Sequence, residues 1–250
     1  KLFCSVRNKP IVPQLFISDL HLSPEHPRLV RGFLDLVASL QPDDISALYI
    51  LGDWFEAWVG DDDDSAWLDP IVTALQSYTA SGGQVWVQHG NRDFLIGQAF
   101  LDRFNGQLLP EISILAHETG RIRLEHGDLL CSDDVKYQAF RQMSRDPAWQ
   151  AGMLSQPLEQ RRQIAQMMRM QSQLNNANTP ANIMDVNAQA VDAALVDAEI
   201  LLHGHTHRPD THVLPNGKQR LVMGDWREES GSAVIARLSA AGLVLDEWCF

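Results

Sequence analysis

A chain of 250 residues, 45% hydrophobic and 21% charged, has room for one sizeable core and is neither disordered nor fibrous in composition. Twenty Lys plus Arg against 32 Asp plus Glu give a formal charge of -12, which disfavours a general duplex-binding surface while leaving room for a local phosphate site. Three scattered cysteines, Cys4, Cys131 and Cys249, form neither a disulfide framework nor a zinc-type pair and fit a reducing compartment.

Lys1, Arg7 and Lys9 lie near the start, but Asn8, Pro10 and Pro13 interrupt the apolar residues before an export-signal core forms. Residues 1–14 therefore read as an extension without an assigned role, ahead of one domain over 15–250. No window approaches 18 consecutive apolar residues, so no membrane span is expected and only peripheral membrane contact stays open.

Leu15-Phe16-Ile17 is an apolar run ending in Ser18-Asp19, and residues 28–40 then space Leu29, Val30, Phe33, Leu34, Val37 and Leu40 as on a helix. Ala47 to Leu51 ends at Gly52-Asp53 and is followed by a helical pattern over 66–80. Val85-Trp86-Val87 ends at His89-Gly90-Asn91. This alternation predicts a layered α/β unit whose ligand residues gather beyond the carboxyl ends of the strands. Shorter strands are expected near 112–115 and 121–125, the second running into His126-Gly127-Asp128.

Residues 134–195 read as mainly helical, with a polar break at Gln173 to Asn182, and suggest an inserted cap over about 132–195. Leu158, Ile164, Ala165 and Met168 share one helical face, with Met167, Met170 and Leu174 on an adjoining one. Two readings stand: both faces pack within the protein, or one meets the body and the other a greasy ligand. Glu199 to Leu202 then reads as a strand ending at His203-Gly204-His205-Thr206-His207, with short strands near 211–214, 220–224, 233–238 and 243–248. Trp248-Cys249-Phe250 reads as core in preference to an interface.

Each polar strand end is weak alone, since Gly-Asp is commonly a turn and a lone histidine is commonly structural. Together, Asp19-Leu20-His21, Gly52-Asp53, Gly90-Asn91-Arg92-Asp93, His126-Gly127-Asp128 and Gly204-His205-Thr206-His207 make an ordered series that accident explains poorly. Carboxylate, imidazole and amide oxygen suit a pair of manganese, iron, zinc or cobalt ions better than a thiolate zinc site. Such a pair activates water and clamps phosphoryl oxygens without a covalent enzyme nucleophile. Ser18 and Ser132 have no base and acid partners in the sequence and are not read as nucleophiles.

These residues resemble the calcineurin-like metallophosphoesterase superfamily and, within it, the bacterial UDP-2,3-diacylglucosamine pyrophosphohydrolases of lipid A biosynthesis. The narrower resemblance spans roughly residues 15–230 and includes the cap. It implies a layered β-sheet core flanked by helices, with a helical cap that binds lipid. It further implies two manganese ions, one held by Asp19, His21, Asp53 and His207, the other by Asp53, Asn91, His126 and His205, with Asp53 the bridge. Water would attack the α-phosphorus of UDP-2,3-diacylglucosamine to give UMP and 2,3-diacylglucosamine 1-phosphate. Asn91, Arg92, His126, His205 and Asp53 carry the catalytic roles; Asn91, Arg92, Asp134, Tyr137, Ser172, Asn176, Thr179 and His205 are the implied substrate contacts. The implied location is the cytoplasm, peripheral on the inner membrane, with no nucleic-acid partner and a monomer as the slight default.

The chain departs from the family pattern at Leu129 and Ser132, where threonines are common, and lacks the cap lysines at Ser172-Gln173 and Asn176-Ala177-Asn178-Thr179. The missing cations bear on phosphate and sugar binding. Two other readings follow from the residues: a metallophosphoesterase of soluble nucleotides or phosphomonoesters, and a nonenzymatic metal-dependent interaction module. The complete ligand set speaks against the second.

Overall fold

A continuous apolar run suits a strand buried on both faces, and β2 (Ala47–Leu51) is such a strand: Leu48 and Ile50 enter one core while Ala47, Tyr49 and Leu51 enter another. In the computed structural model, which describes residues 12–178, 180 and 183–250, β2 lies inside a six-stranded sheet. The sheet runs β11 (Gly242–Cys249), β10 (Ser232–Ser239), β1 (Gln14–Ile17), β2, β3 (Gln84–Gln88) and β4 (Gln107–Leu108). Strands β1 to β4 are parallel, and β10 closes on β1 antiparallel.

Crossover helices α1 (Pro27–Ser39) and α2 (Asp69–Ala80), with the short α3 (Gln98–Asp102), cover the outer face of this sheet. Pro27 starts α1, and Leu29, Phe33, Leu36 and Val37 form its buried stripe. The inner face meets a second sheet in the order β5 (Ser113–His117), β6 (Gly120–Leu124), β7 (Ile200–His203), β9 (Gln219–Val222) and β8 (Asp210–Val213). Phe16, Tyr49 and Leu51 pack there against Ile122, Leu124, Ile200 and Leu202. Helix α7 (Ala188–Ala194) covers the far face, where Val191 and Ala194 join Leu201 and Leu130. The result is helix, sheet, sheet and helix in layers, with a helical insertion between β6 and α7.

That insertion comprises α4 (Val135–Ser144), α5 (Pro147–Leu154) and α6 (Leu158–Asn178). Asp134 caps α4 by accepting from Tyr137 N at 3.0 Å, and Asp146 caps α5 by accepting from Ala148 N at 2.9 Å. The polar break expected from Gln173 begins later, since α6 continues through Asn178. Once a long helix is nucleated, each added residue gains a bond, so a few weak helix formers at its end extend it. Of the two readings for the apolar faces of α6, packing of both within the protein is not what the structure shows. Leu158, Ile164, Ala165 and Met168 are half-buried, but Met167, Met170 and Leu174 are 61%, 59% and 62% exposed. Phe250 stacks on Trp226 at 5.2 Å and Trp248 packs on the helical core, whereas Cys249 is exposed. Among the described residues no helix is long and apolar enough to cross a membrane.

Candidate metal centre

The ends of β1, β2, β3, β6 and β7 open on one edge, and their loops are tied together by main-chain bonds. Asp19 N donates to Gly52 O at 3.1 Å, His21 N to Asp53 O at 3.0 Å, and Gly204 N to His126 O at 2.9 Å. Among the described residues six other than glycine adopt positive φ, and five are candidate ligands: Asp19 (55°), His21 (51°), Asp53 (50°), His205 (67°) and His207 (55°). Left-handed backbone at such residues costs on the order of 1 kcal/mol each and persists where the surroundings enforce it, as functional sites do.

Two groups of possible ligand atoms result, each with members within 4.8 Å of one another: Asp19 with His21 and His207, and Asp19 with Asp53 and His126. The first brings the two imidazole Nε2 atoms of His21 and His207 to 3.2 Å and places His207 Nε2 3.4 Å from Asp19 Oδ1. Asp53 lies between the groups, Oδ2 at 3.9 Å from His21 Nδ1 and Oδ1 at 3.7 Å from His126 Nε2. Asn91 Oδ1 faces His126 Nε2 at 2.9 Å and His205 Nδ1 at 2.8 Å. All seven sequence-predicted ligands therefore converge, with Asp19 as well as Asp53 positioned between the two groups.

The electrostatics call for cations. Burial pushes the Asp53 carboxyl up, against the pull of His126 and Arg92. Burial opposes the charge on Asp19 too, yet the facing imidazoles of His207, His126 and His21 hold its carboxyl below the usual range. Burial opposes protonation of His126, but the carboxylates of Asp53, Asp19 and Asp128 outweigh it and push the imidazole up to about 8. An enclosed imidazole pushed up by three carboxylates marks a cluster in excess of negative charge. Asp19 Oδ1 is buried without a hydrogen-bond partner, as expected of a group meant for a metal. Nitrogen ligands lie about 2.0–2.1 Å from a zinc-like ion, so neighbours around one ion sit roughly 3 Å apart, matching the His21 to His207 separation. Imidazoles, carboxylates and an amide oxygen fit a borderline divalent cation.

Arg92 stands beside the centre, with Nε 3.3 Å from Asp53 Oδ2, its guanidinium on Glu56 and its backbone N donating to Asp53 Oδ1 at 2.9 Å. The neighbouring Asp93 accepts from Gly90 N at 2.7 Å and Trp54 N at 2.8 Å, so it shapes the loop instead of pairing with Arg92. Tyr137 is largely enclosed, its hydroxyl donating to Asp128 and its ring 6.0 Å from that of His205. Asp134 caps α4, Ser172 is half-buried on α6, and Thr179, the side chain of Asn176 and residues 1–11 lie outside the described residues.

Several neighbours had no role assigned to them from the sequence. Glu56 carries both Arg92 and Arg169 of α6, the latter at 2.8 Å. Asp128 receives Arg141 Nε at 2.9 Å, and Asp225 lies 3.7 Å from His207 Nδ1. The spacing of Arg161, Arg162 and Arg169 along one side of α6 was the available signal for Arg169.

The profile of the calcineurin-like phosphoesterase family matches residues 12–209. A UDP-2,3-diacylglucosamine hydrolase from Cellvibrio japonicus is 42% identical over 239 residues, covering 94% of this chain and 98% of the relative. One from Sodalis glossinidius is 42% identical over 238 residues, with the same coverages of 94% and 98%. A dimetal phosphatase from Danio rerio superposes with a TM-score of 0.51 at 14% identity, over 96% of this chain and 100% of that one, which bears on the fold alone. The layered fold, the converging ligands and the match along nearly the whole chain agree: the protein belongs to the calcineurin-like phosphoesterase family, among the bacterial UDP-2,3-diacylglucosamine hydrolases.

Proposed function

We propose that the protein hydrolyses the pyrophosphate bond of UDP-2,3-diacylglucosamine, water attacking the α-phosphorus, to release UMP and 2,3-diacylglucosamine 1-phosphate for lipid A biosynthesis. The observation that carries this reading is the 42% identity over 94% of the chain, insertion included, to relatives named for hydrolysis of that substrate. Asp19, His21, Asp53 and His207 would hold one manganese ion and Asp53, Asn91, His126 and His205 the other. When bound, the two cations supply the Lewis acidity that lowers the pKa of water and offsets charge developing on the phosphoryl oxygens.

The chain's own groups do the remaining work. Ser18 Oγ donates to Asp19 Oδ2 at 2.7 Å and His205 N donates to the same oxygen at 2.9 Å, leaving Oδ1 directed at the ligand cluster. His126 Nδ1 is anchored on Leu51 O at 2.9 Å, which commits Nε2 to the centre. Asn91 and the guanidinium of Arg92 are placed to bind the phosphate that leaves with the sugar. Tyr137 spends its hydroxyl proton on Asp128, so its oxygen can only accept from a sugar hydroxyl or amide. Asp134, Ser172, Asn176 and Thr179 complete the proposed sugar contacts.

The acyl chains belong between cap and body, and the exposed apolar side chains of α6 offer them surface. With no spanning helix among the described residues, the reading is a peripheral enzyme at the cytoplasmic face of the inner membrane.

The test is to reconstitute the protein with manganese and supply UDP-2,3-diacylglucosamine in mixed micelles, resolving both products. UMP and the lipid phosphate are expected, with loss of at least about 100-fold in kcat for Asp53→Asn. In oxygen-18 water the label is expected in UMP; label confined to the lipid phosphate would place attack on the other phosphorus. Hydrolysis that survives complete chelation would overturn the two-cation reading.

A further inference from the structure

The first helix of the insertion reaches back under the metal centre through a chain of paired charges. Arg145, at the end of α4, donates from Nη2 to Gly90 O at 2.8 Å and from Nε to Glu111 Oε1 at 2.6 Å. Its guanidinium lies over the Phe94 ring, 4.9 Å from the centroid. Arg141, one turn earlier, joins the same Glu111 at 3.0 Å to Asp128 at 2.9 Å. Asp128 in turn fixes Tyr137 and lies 3.9 Å from Arg145 Nη2.

Gly90 O and the nitrogen of Asn91 belong to one rigid peptide plane. The bond from Arg145 therefore sets the orientation from which the Asn91 side chain departs toward His126 and His205. Gly90 has no freedom to compensate: its nitrogen is held by Asp93 at 2.7 Å, and a Cβ there would overlap Asp53.

We infer that Arg145 is a positioning residue that couples the seating of α4 to the geometry of Asn91, and so to one of the two cations. The inference rests on the two-cation reading given above. Its specificity is what separates it from a general packing role, because Arg145 touches the Asn91 loop and not the His21 and His207 side of the centre.

The experiment compares Arg145→Lys with the parent and with Asn91→Ala, stripping each of metal and titrating manganese by calorimetry and electron paramagnetic resonance. Lysine keeps a positive charge for Glu111 and Asp128 but, with a single ammonium group, cannot bridge Glu111 and Gly90 as the guanidinium does. The parent should bind two equivalents. Arg145→Lys should weaken one of them by about tenfold or more, the same one that Asn91→Ala weakens, with a metal-free melting temperature near that of the parent. Unchanged affinity for both equivalents would overturn the inference, as would equal weakening of both in step with a lowered metal-free melting temperature. A parent that binds fewer than two equivalents would overturn the two-cation reading itself, and the inference with it.

Discussion

Gly204 precedes His205, and a Cβ at that position would overlap the Asp19 carboxylate and Ser18 Oγ. The close approach lets His205 N donate to Asp19 Oδ2 at 2.9 Å, so the glycine is a condition for the ligand geometry. Gly204→Ala is expected to cost about 3 kcal/mol and to abolish tight manganese binding, read by thermal unfolding and metal titration. A variant that binds both equivalents normally would show that the two loops can part. His203 next to it offers a test in pH. Burial holds this imidazole down to about 3, below an unfolded value near 6.5, so the folded protein refuses a proton that the unfolded chain accepts. Its contribution to stability is complete above pH 6.5 and is lost progressively as the pH falls toward 3. Within that window the metal-free parent should lose up to about 1.4 kcal/mol per pH unit more than His203→Gln in urea unfolding. Identical slopes would contradict the assignment. The ligands themselves were legible because each lies within a few residues of the end of an apolar strand run, as Asp53 does after Ala47 to Leu51. Their left-handed backbone was not legible, since the modest enrichment of Asp and His at positive φ is too weak to single out a residue such as His21, whose φ is 51°.

At the scale of elements, α6 is held to the body by charge as much as by apolar contact. Arg161, only 3% exposed, donates to Val59 O, to Asp62 Oδ1 at 2.8 Å and to Gln156 O at 2.9 Å. Arg162 meets Asp63 at 2.7 Å and Asp64 at 2.9 Å, and Arg169 meets Glu56. The costs of losing these bonds differ with burial. Arg161→Met leaves the Val59 carbonyl without its donor and should cost about 2 kcal/mol, with faster amide exchange along α6. Arg162→Met, at an exposed position, should cost less than about 1 kcal/mol and leave exchange near the parent's. Equal effects in chemical denaturation would refute this division of labour. The acidic residues Asp62 to Asp64 are visible in sequence, but their arginine partners lie 98 or 99 positions away and no local pattern announces them. Arg145 and Glu111 escaped a sequence reading for the same reason, whereas α1 and α2 were legible from their own periodicity. The end of α6 was misread because weak helix formers such as Asn175 signal a break locally while cooperativity carries the helix past them.

For the whole molecule, the net charge of -12 and the substrate's own negative charge stand in apparent conflict. Of the arginines near the site, Arg141 and Arg145 are committed to Glu111 and Asp128, and Arg169 to Glu56. Arg92 is itself paired with Asp53 and Glu56, so the field is reversed only locally, by the cations that the centre is built to hold. Attraction for the diphosphate alone is then a weak basis for choosing this substrate over soluble nucleotides, and the lipid must supply the difference. Each acyl methylene removed from water contributes on the order of 0.8 kcal/mol, so a few methylenes on each chain outweigh a lost ionic contact. The exposed Met167 and Met170 of α6 show that the insertion carries apolar surface beyond what its own packing consumes. Removing both acyl chains should therefore lower kcat/KM by several orders of magnitude, while shortening them should lower it in steps that track the methylenes removed. The measurement is a series of UDP-glucosamine derivatives of graded acyl length, assayed at fixed detergent and manganese. Equal kcat/KM for the deacylated nucleotide sugar would sink the lipid-binding role of the insertion and would leave a metallophosphoesterase whose selectivity resides in the nucleotide.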